Sequence, residues 1–242
     1  MAIKLGNTGI NVFGNNWIKA YLGNTLVLGG AVTQYFLDLD STQEDYASIT
    51  NAELNTDVPS SGDWAFGGRI TVPIVNPPSV AGLFGRTRGA STTLRYGFWL
   101  TNIGGLLVQG YNNENLTIPN FISTYGGQTI DLKAQYEGLD IVFYVDNVEI
   151  DRRTITGRPT DESGATTKYF IGAFGASNGL GPASNTYFNG QIHSFFIGDN
   201  EWEVNEGSGS FTTSKVGGYT ANLFTISLDP NYFNDFMWQP LI

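Results

Sequence analysis

The chain has 242 residues, 31 of them glycine, with 14% aromatic and only 14% charged side chains, a mixture suited to short strands and tight turns. Its formal net charge of −10 repels phosphate backbones and anionic bilayers, which excludes nucleic acid and membrane surfaces as partners. There is no cysteine, so disulfides, thiolate metal sites and cysteine nucleophiles are excluded as well.

Residues 1–32 hold Lys4 and Lys19 and no acid, whereas the remainder carries ten basic and 22 acidic side chains. This shift marks an N-terminal module over 1–32 ahead of a larger unit over 33–242. The module repeats internally: "IKLGNTGINV" (Ile3 to Val12) and "IKAYLGNTLV" (Ile18 to Val27) share "LGNT", beginning at Leu5 and Leu22. Gly-Asn between apolar strand residues signals a hairpin, because both residue types tolerate positive φ. Hairpins this small cannot bury a core alone, so Ile3, Leu5, Ile18 and Leu22 are the expected assembly face. "MAIKLGNTGI" has no apolar core of signal-peptide length and no run approaches a membrane span, so synthesis in the cytoplasm is expected.

From about Ala31 the strands lengthen. "YFLDLD" sets Tyr35, Leu37 and Leu39 on one face and Phe36, Asp38 and Asp40 on the other. "GRITVPIV" follows, with Pro73 pointing to an edge or bulged strand. "AGLFGRT", "LRYGFWLTN" and "GGLLVQGYN" are further strands punctuated by glycine. In "IVFYVDNVEIDRRTI" the alternating Ile141, Phe143 and Val145 lead into an Asp146-Asn147 turn, and Val148 to Ile150 returns. "KYFIGAFG" and "YFNGQIHSFFIGDNEWEVNEG" complete the set. No stretch of ten residues carries an apolar pattern at helical spacing, and the many short, regularly spaced strands predict an all-β sandwich of the jelly-roll kind.

The order of "YFLDLDSTQEDYASI", "GLFG", "YGFWL", "YVDNVEI", "YFIGAFG" and "YFNGQIHSFFIGD" resembles concanavalin A-like, laminin-G-like lectin domains over Tyr35 to Glu206. The sequence departs from that pattern at Asn147, where glycine is usual, and around Leu39. The N-terminal repeats, with "EWEVNEGSGS" after the closing strand, are similar to bacteriophage virion proteins that hang a lectin-like domain from a small β anchor. That resemblance implies virion partners, a homo-oligomer such as a trimer, and release from the host by lysis. A shared sandwich does not itself establish function.

The carboxylates of "EWEVNEGSGS" raise the question of catalysis, since residues two apart on a strand share a face, as the paired acids of a glycosidase must. The resembling jelly-roll glucanases need acids at the first, third and fifth positions. Here Glu201 and Glu203 are followed by Asn205, while Glu206 falls on the other face. Trp202 and Val204 alternate inward, which leaves Glu201 and Glu203 as a solvated strand face. The single His193 cannot build a multi-histidine metal site and is assigned a structural role. Calcium would need six to eight oxygens; Asp38 and Asp40, with Glu44 and Asp45 nearby, are the candidate ligands, and Asn112, Asn113, Glu114 and Asn115 form a second oxygen-rich run.

Sugar recognition calls for exposed aromatics, and Trp64, Tyr111 and Tyr125 in turn-like stretches are the candidates, whereas Trp99 and Trp202 belong in the core. Arg86, Arg88, Arg152 and Arg153 are expected to pair with the acidic surface. The tail "DPNYFNDFMWQPLI" holds Tyr232, Phe233, Phe236, Met237, Trp238 and Leu241, too many apolar groups to leave in water. They close the sandwich or dock on a neighbouring subunit, with Phe236 and Trp238 as the docking candidates. The leading expectation is a non-enzymatic virion structural protein, in capsid decoration or a head or tail fibre, with weak adhesion to host cell-surface glycans and no cofactor. A dedicated carbohydrate-binding adhesin is the alternative, and a glycoside hydrolase the last.

Overall fold

A computed structural model of the chain describes residues 35–50, 62–86, 96–159, 168–176, 181–204, 211–215, 219–225 and 237–240, together with the backbone of the strands within 2–31. Those first strands are β1 (Ala2–Leu5), β2 (Thr8–Phe13), β3 (Trp17–Leu22) and β4 (Thr25–Ala31), and they pair antiparallel in sequence order in one four-stranded sheet. Leu5 pairs with Thr8 and Leu22 with Thr25, so each "LGNT" spans the two-residue connection of a hairpin. The side chains of Ile3, Leu5, Ile18 and Leu22, and with them the expected assembly face, lie outside the described residues.

The larger unit is a sandwich of two antiparallel sheets. The first runs in the order β11 (Leu116–Ile118), β10 (Leu106–Gln109), β9 (Tyr96–Leu100), β8 (Ala81–Arg86), β15 (Lys168–Ile171), β6 (Tyr46–Thr50), β19 (Thr220–Phe224), β18 (Phe211–Thr213). The second runs β14 (Val148–Thr154), β13 (Asp140–Val145), β12 (Thr129–Glu137), β7 (Trp64–Thr71), β16 (Gly190–Ile197), β5 (Tyr35–Leu39), β20 (Trp238–Pro240), and β17 (Asn200–Trp202) pairs with β16. A single short α-helix, α1 (Phe121–Tyr125), occurs among the described residues and buries Phe121 and Ile122.

Period-two patterning makes these elements. In β12, Ile130, Leu132, Ala134 and Tyr136 are buried while Asp131, Lys133, Gln135 and Glu137 face outward. Leu37 and Leu39, Phe66 and Ile70, and Phe195 and Ile197 come from the neighbouring strands to meet Ile49, Phe84, Phe98, Ile171 and Leu223 of the first sheet in one continuous core. Asp146 and Asn147 both take positive φ, 49° and 64°, which is the twist a two-residue hairpin turn requires. Asparagine therefore does the work of the glycine usual at this turn.

Three expectations are corrected. Pro73 does not make an edge strand of "GRITVPIV": β7 begins earlier, at Trp64, stops at Thr71 ahead of the proline, and lies centrally between β12 and β16. Trp238 is not a docking residue; β20 pairs with β5, and Met237 and Trp238 are buried at 0% and 2% exposure, so this part of the tail closes the sandwich. Phe236, Tyr232, Phe233 and Leu241 lie outside the described residues. Arg86 does not reach the acidic surface: it is 1% exposed and its guanidinium lies 5.0 Å from the ring centre of Tyr96. Arg88 lies outside the described residues.

Candidate functional site

The outer face of the second sheet carries a polar groove. Across it, Tyr144, Lys133, Gly67, Phe196 and Glu201 are successive cross-strand neighbours, and Asp131, Arg69 and Ser194 form the adjacent row. At Gly67 a Cβ would strike the carbonyl of Leu132 and come within 3.0 Å of the Phe196 ring. Glycine at this buried position therefore lets the partly exposed Phe196 ring pack against the strand backbone. The groove holds about 270 Å³ and is lined further by Gly68, Leu132 and Asn147.

Its walls are held by charges of two kinds. Arg69 and Asp131 form a 3.3 Å ion pair with both side chains half exposed, a contact that contributes little to stability and is easily redirected toward a ligand. Lys133 is more firmly placed: its ammonium lies 4.0 Å from the Tyr144 ring centre and donates to Gln135 Oε1 at 3.1 Å. The Tyr144 hydroxyl donates to Glu137 Oε1 at 3.0 Å, and desolvation followed by this bond raises the phenol above its ordinary value. Arg152 ties Glu137, Asp140 and Glu149 together at 2.9, 3.2 and 2.9 Å, as expected of it, and its bonds hold the Glu149 carboxyl below the usual carboxylate range. Arg153 donates to the carbonyl of Asn115, and its charge also acts on the neighbouring Glu114.

Of the acids of "EWEVNEG", Glu201 borders this groove. β17 ends at Trp202, which is buried, as is Val204, while Glu201 and Glu203 face outward as expected. Val204 is buried at a φ of 55°, rare for a β-branched residue, so packing rather than strand geometry sets the inward turn. Lys215 bridges both carboxylates, at 3.0 Å from Glu201 and bonded also to Glu203, and these bonds, Glu203 first, raise its ammonium above the ordinary value. Asn205 and Glu206 lie outside the described residues.

The three aromatics singled out from sequence are not brought together. Trp64 is 5% exposed in β7, stacked on Tyr136 at 4.8 Å and edge-on to Tyr96 at 5.1 Å, so it is a core residue and not a surface platform. It failed as a prediction because the stretch read as a turn is the start of a central strand. Tyr111 sits in a 3-10 turn after β10, its ring over Gly157, and Tyr125 ends α1 with its ring 5.0 Å from Phe121; both are partly buried against the core. Trp99 and Trp202 are buried, as expected.

The candidate calcium ligands are engaged otherwise. Asp40 caps a 3-10 turn, accepting from Thr42 N and Oγ1 at 2.7 Å, its own N–H donates to Asp45, and burial, then Asp40, raises the Asp38 carboxyl. In the second run, Glu114 accepts from Thr156 N and Oγ1 and Asn113 from Gln109. Among the described residues no group of three or more acidic or histidine side chains could hold a metal ion. His193 sits at an irregularity between β16 and β7, with Nε2 2.9 Å from Thr71 Oγ1 and its ring 5.2 Å from Phe36. Burial, then Arg69, lowers its imidazole below the ordinary value.

A second groove, of about 340 Å³, follows the Pro73–Pro78 loop past Ile74, Val75, Tyr187 and Phe188. It offers few polar groups, whereas the sheet groove combines an aromatic ring with cations, carboxylates and a hydroxyl. The residues that sequence reasoning missed are those of β12. "TIDLKAQYE" alternates strictly, and that alternation was the signal for a strand presenting Asp131, Lys133 and Gln135 to solvent.

No protein-family model and no curated protein sequence matches the chain. Among solved structures it is similar to a protein of Bacteroides ovatus provisionally assigned to carbohydrate binding, at a TM-score of 0.52 and 13% identity over 93% of this chain and 69% of that one. The fold is a lectin-like jelly-roll sandwich. Weaker likenesses are the Ruminococcus gnavus sialidase module CBM40 bound to α2,3 sialyllactose (TM-score 0.47, 12% identity, 67% of this chain, 89% of that) and domains LG4-5 of mouse laminin α1 (TM-score 0.44, 14%, 76% and 50%). The chain spans 23% of the length of a NanB sialidase chain it aligns with.

Proposed function

We propose that the protein binds carbohydrate without turning it over, on the outer groove of the second sheet. The observation that carries this proposal is the groove in which the partly exposed Phe196 ring borders the Arg69–Asp131–Lys133 wall. A sugar needs such a combination, an aromatic surface for its C–H face and charged or amide groups for its hydroxyls. The likeness in fold to the B. ovatus protein supports it. A non-catalytic role is supported by Glu201 and Glu203, which are half exposed and share one lysine ammonium rather than occupying the apolar pocket that keeps a general acid protonated.

The virion assignment rests on the N-terminal repeats and the "EWEVNEGSGS" stretch and gains no support from the comparisons, so carbohydrate binding takes precedence. The hairpin sheet β1–β4 supports a narrower proposal, that residues 1–32 attach or assemble the lectin-like unit. A glycan array with the full chain tests the main proposal. Binding that drops at least tenfold in both Phe196→Ala and Arg69→Ala is expected; silence across the array, or binding indifferent to both changes, would overturn it.

A further inference from the structure

The second groove lies where β7 stops, opposite the Trp64 end of that strand, and holds about 340 Å³. Its floor is Ala81 and Leu100, cross-strand partners on the first sheet, together with Phe188, and all three are buried. One wall is loop 73–78, which leaves the second sheet after β7, and the other is formed by Ser41, Tyr187 and Asn189. Ile74 and Val75 border the mouth at 77% and 71% exposure, so two aliphatic side chains stand in water beside a buried apolar floor.

The walls are held in place without a ligand. The Val72 N–H donates to the Gln128 carbonyl at 2.9 Å and the Gly127 N–H to the Val72 carbonyl at 2.8 Å, which clamps the base of the loop. A Cβ at Gly104 would come 2.6 Å from Asn76 Oδ1, so the turn before β10 packs against the loop from outside. Pro73, Pro77 and Pro78 each fix φ and stiffen it further. The Gly82 N–H donates to the Thr186 carbonyl at 2.9 Å, which ties the opposite wall to β8. A preformed cleft of this size falls within the roughly 300 to 1,000 Å³ of small-molecule sites, and it avoids the entropic cost of ordering a loop on binding.

The lining also selects the chemistry. Among the described residues that line the groove there is no lysine, arginine, histidine or carboxylate. The Tyr187 hydroxyl donates to Glu44 Oε2 at 3.1 Å, and Glu44 is not one of those residues, so Tyr187 contributes chiefly its ring. What remains polar is the Ser41 hydroxyl and the amides of Asn76 and Asn189, which both donate and accept. An ion entering here would lose hydration with no opposite charge to replace it. A saccharide, with hydroxyls all round, would leave several of them against apolar walls.

We infer that this groove binds an uncharged small molecule with an apolar, ring-bearing body and one or two hydroxyl or carbonyl groups. The ring lies over Ala81, Leu100 and Phe188 between the Ile74–Val75 lip and the Tyr187 ring, and Ser41, Asn76 and Asn189 serve the polar groups. The site is separate from the outer groove and does not depend on carbohydrate binding there.

Calorimetric titration of the full chain with three probes of one shape, naphthylmethanol, naphthoate and naphthylmethylammonium, tests this. Saturable binding of the alcohol is expected with a Kd below about 1 mM, and both ions should bind at least about tenfold more weakly. Val75→Asp, a change at an exposed position, should weaken the alcohol about tenfold by setting a charge at the mouth. Ala81→Leu should abolish binding by filling the floor; if that variant does not fold, Val75→Asp decides. Phe196→Ala in the outer groove should leave the affinity unchanged, which keeps this site distinguishable from the carbohydrate groove. The inference is overturned by absent saturable binding of the alcohol, by either ion binding as tightly, by an affinity unmoved in Val75→Asp, or by binding lost in Phe196→Ala.

Discussion

The outer groove and the enclosed end of the sandwich both collect charge and aromatic rings, yet water treats them oppositely. In the groove, Arg69 and Asp131 are half exposed and can exchange each other for water or a ligand hydroxyl at small cost. Between the sheets, Trp64 and Tyr136 are removed from solvent, and a donor left unbonded there forfeits its full hydration. The groove's charges thus stay open to exchange with water, whereas the enclosed rings are fixed by packing.

That contrast can be broken most forcefully at Trp64. Trp64→Ala removes a ring stacked on Tyr136 and should cost roughly 3–5 kcal/mol, measured by urea unfolding of the full chain. A loss below about 1 kcal/mol would mean the enclosed end is loosely packed. Next comes Gly67→Val, whose side chain must displace the Leu132 carbonyl or the Phe196 ring; about 1–3 kcal/mol of stability and all groove binding should be lost together. Phe196→Ala should do the reverse of Trp64→Ala, leaving the unfolding midpoint within the small range of surface substitutions while removing glycan binding.

The smallest effect expected is in pH dependence. Burial, then Arg69, depresses the folded-state pKa of His193, so the folded form favours the neutral ring. Its contribution to stability is therefore full above the unfolded pKa of about 6.5 and declines as pH falls from there toward the folded value. His193→Gln should flatten the slope of stability against pH below about 6.5, and a slope unchanged in that variant would remove His193 from the account.

Much of the sandwich was legible because strand alternation is local. "YFLDLD", "IVFYVDNVEI" and "YFNGQIHSFFIGD" carry their inward and outward faces in their own order of residues, and the Asp-Asn turn needs no distant partner. The same logic placed Trp202 inside and Glu201 outside, whereas Val204 lies inside by packing beyond the end of the strand. The site was less legible, because a groove is made by neighbours across strands. Phe196 packs flat on the sheet only because β7 brings Gly67 beside it, and Arg69 meets Asp131 across a separation of 62 residues.

By itself, then, the sequence determined the fold class, the hairpin registers and the inward face of most strands, since these follow from short-range periodicity and turn chemistry. Only the tertiary structure decided that Trp64 is enclosed, that Trp238 closes the second sheet beside β5, and that Arg86 lies buried against Tyr96. Each depends on which strands become neighbours, and strand order is set by the packing of two whole sheets rather than by any one stretch of chain.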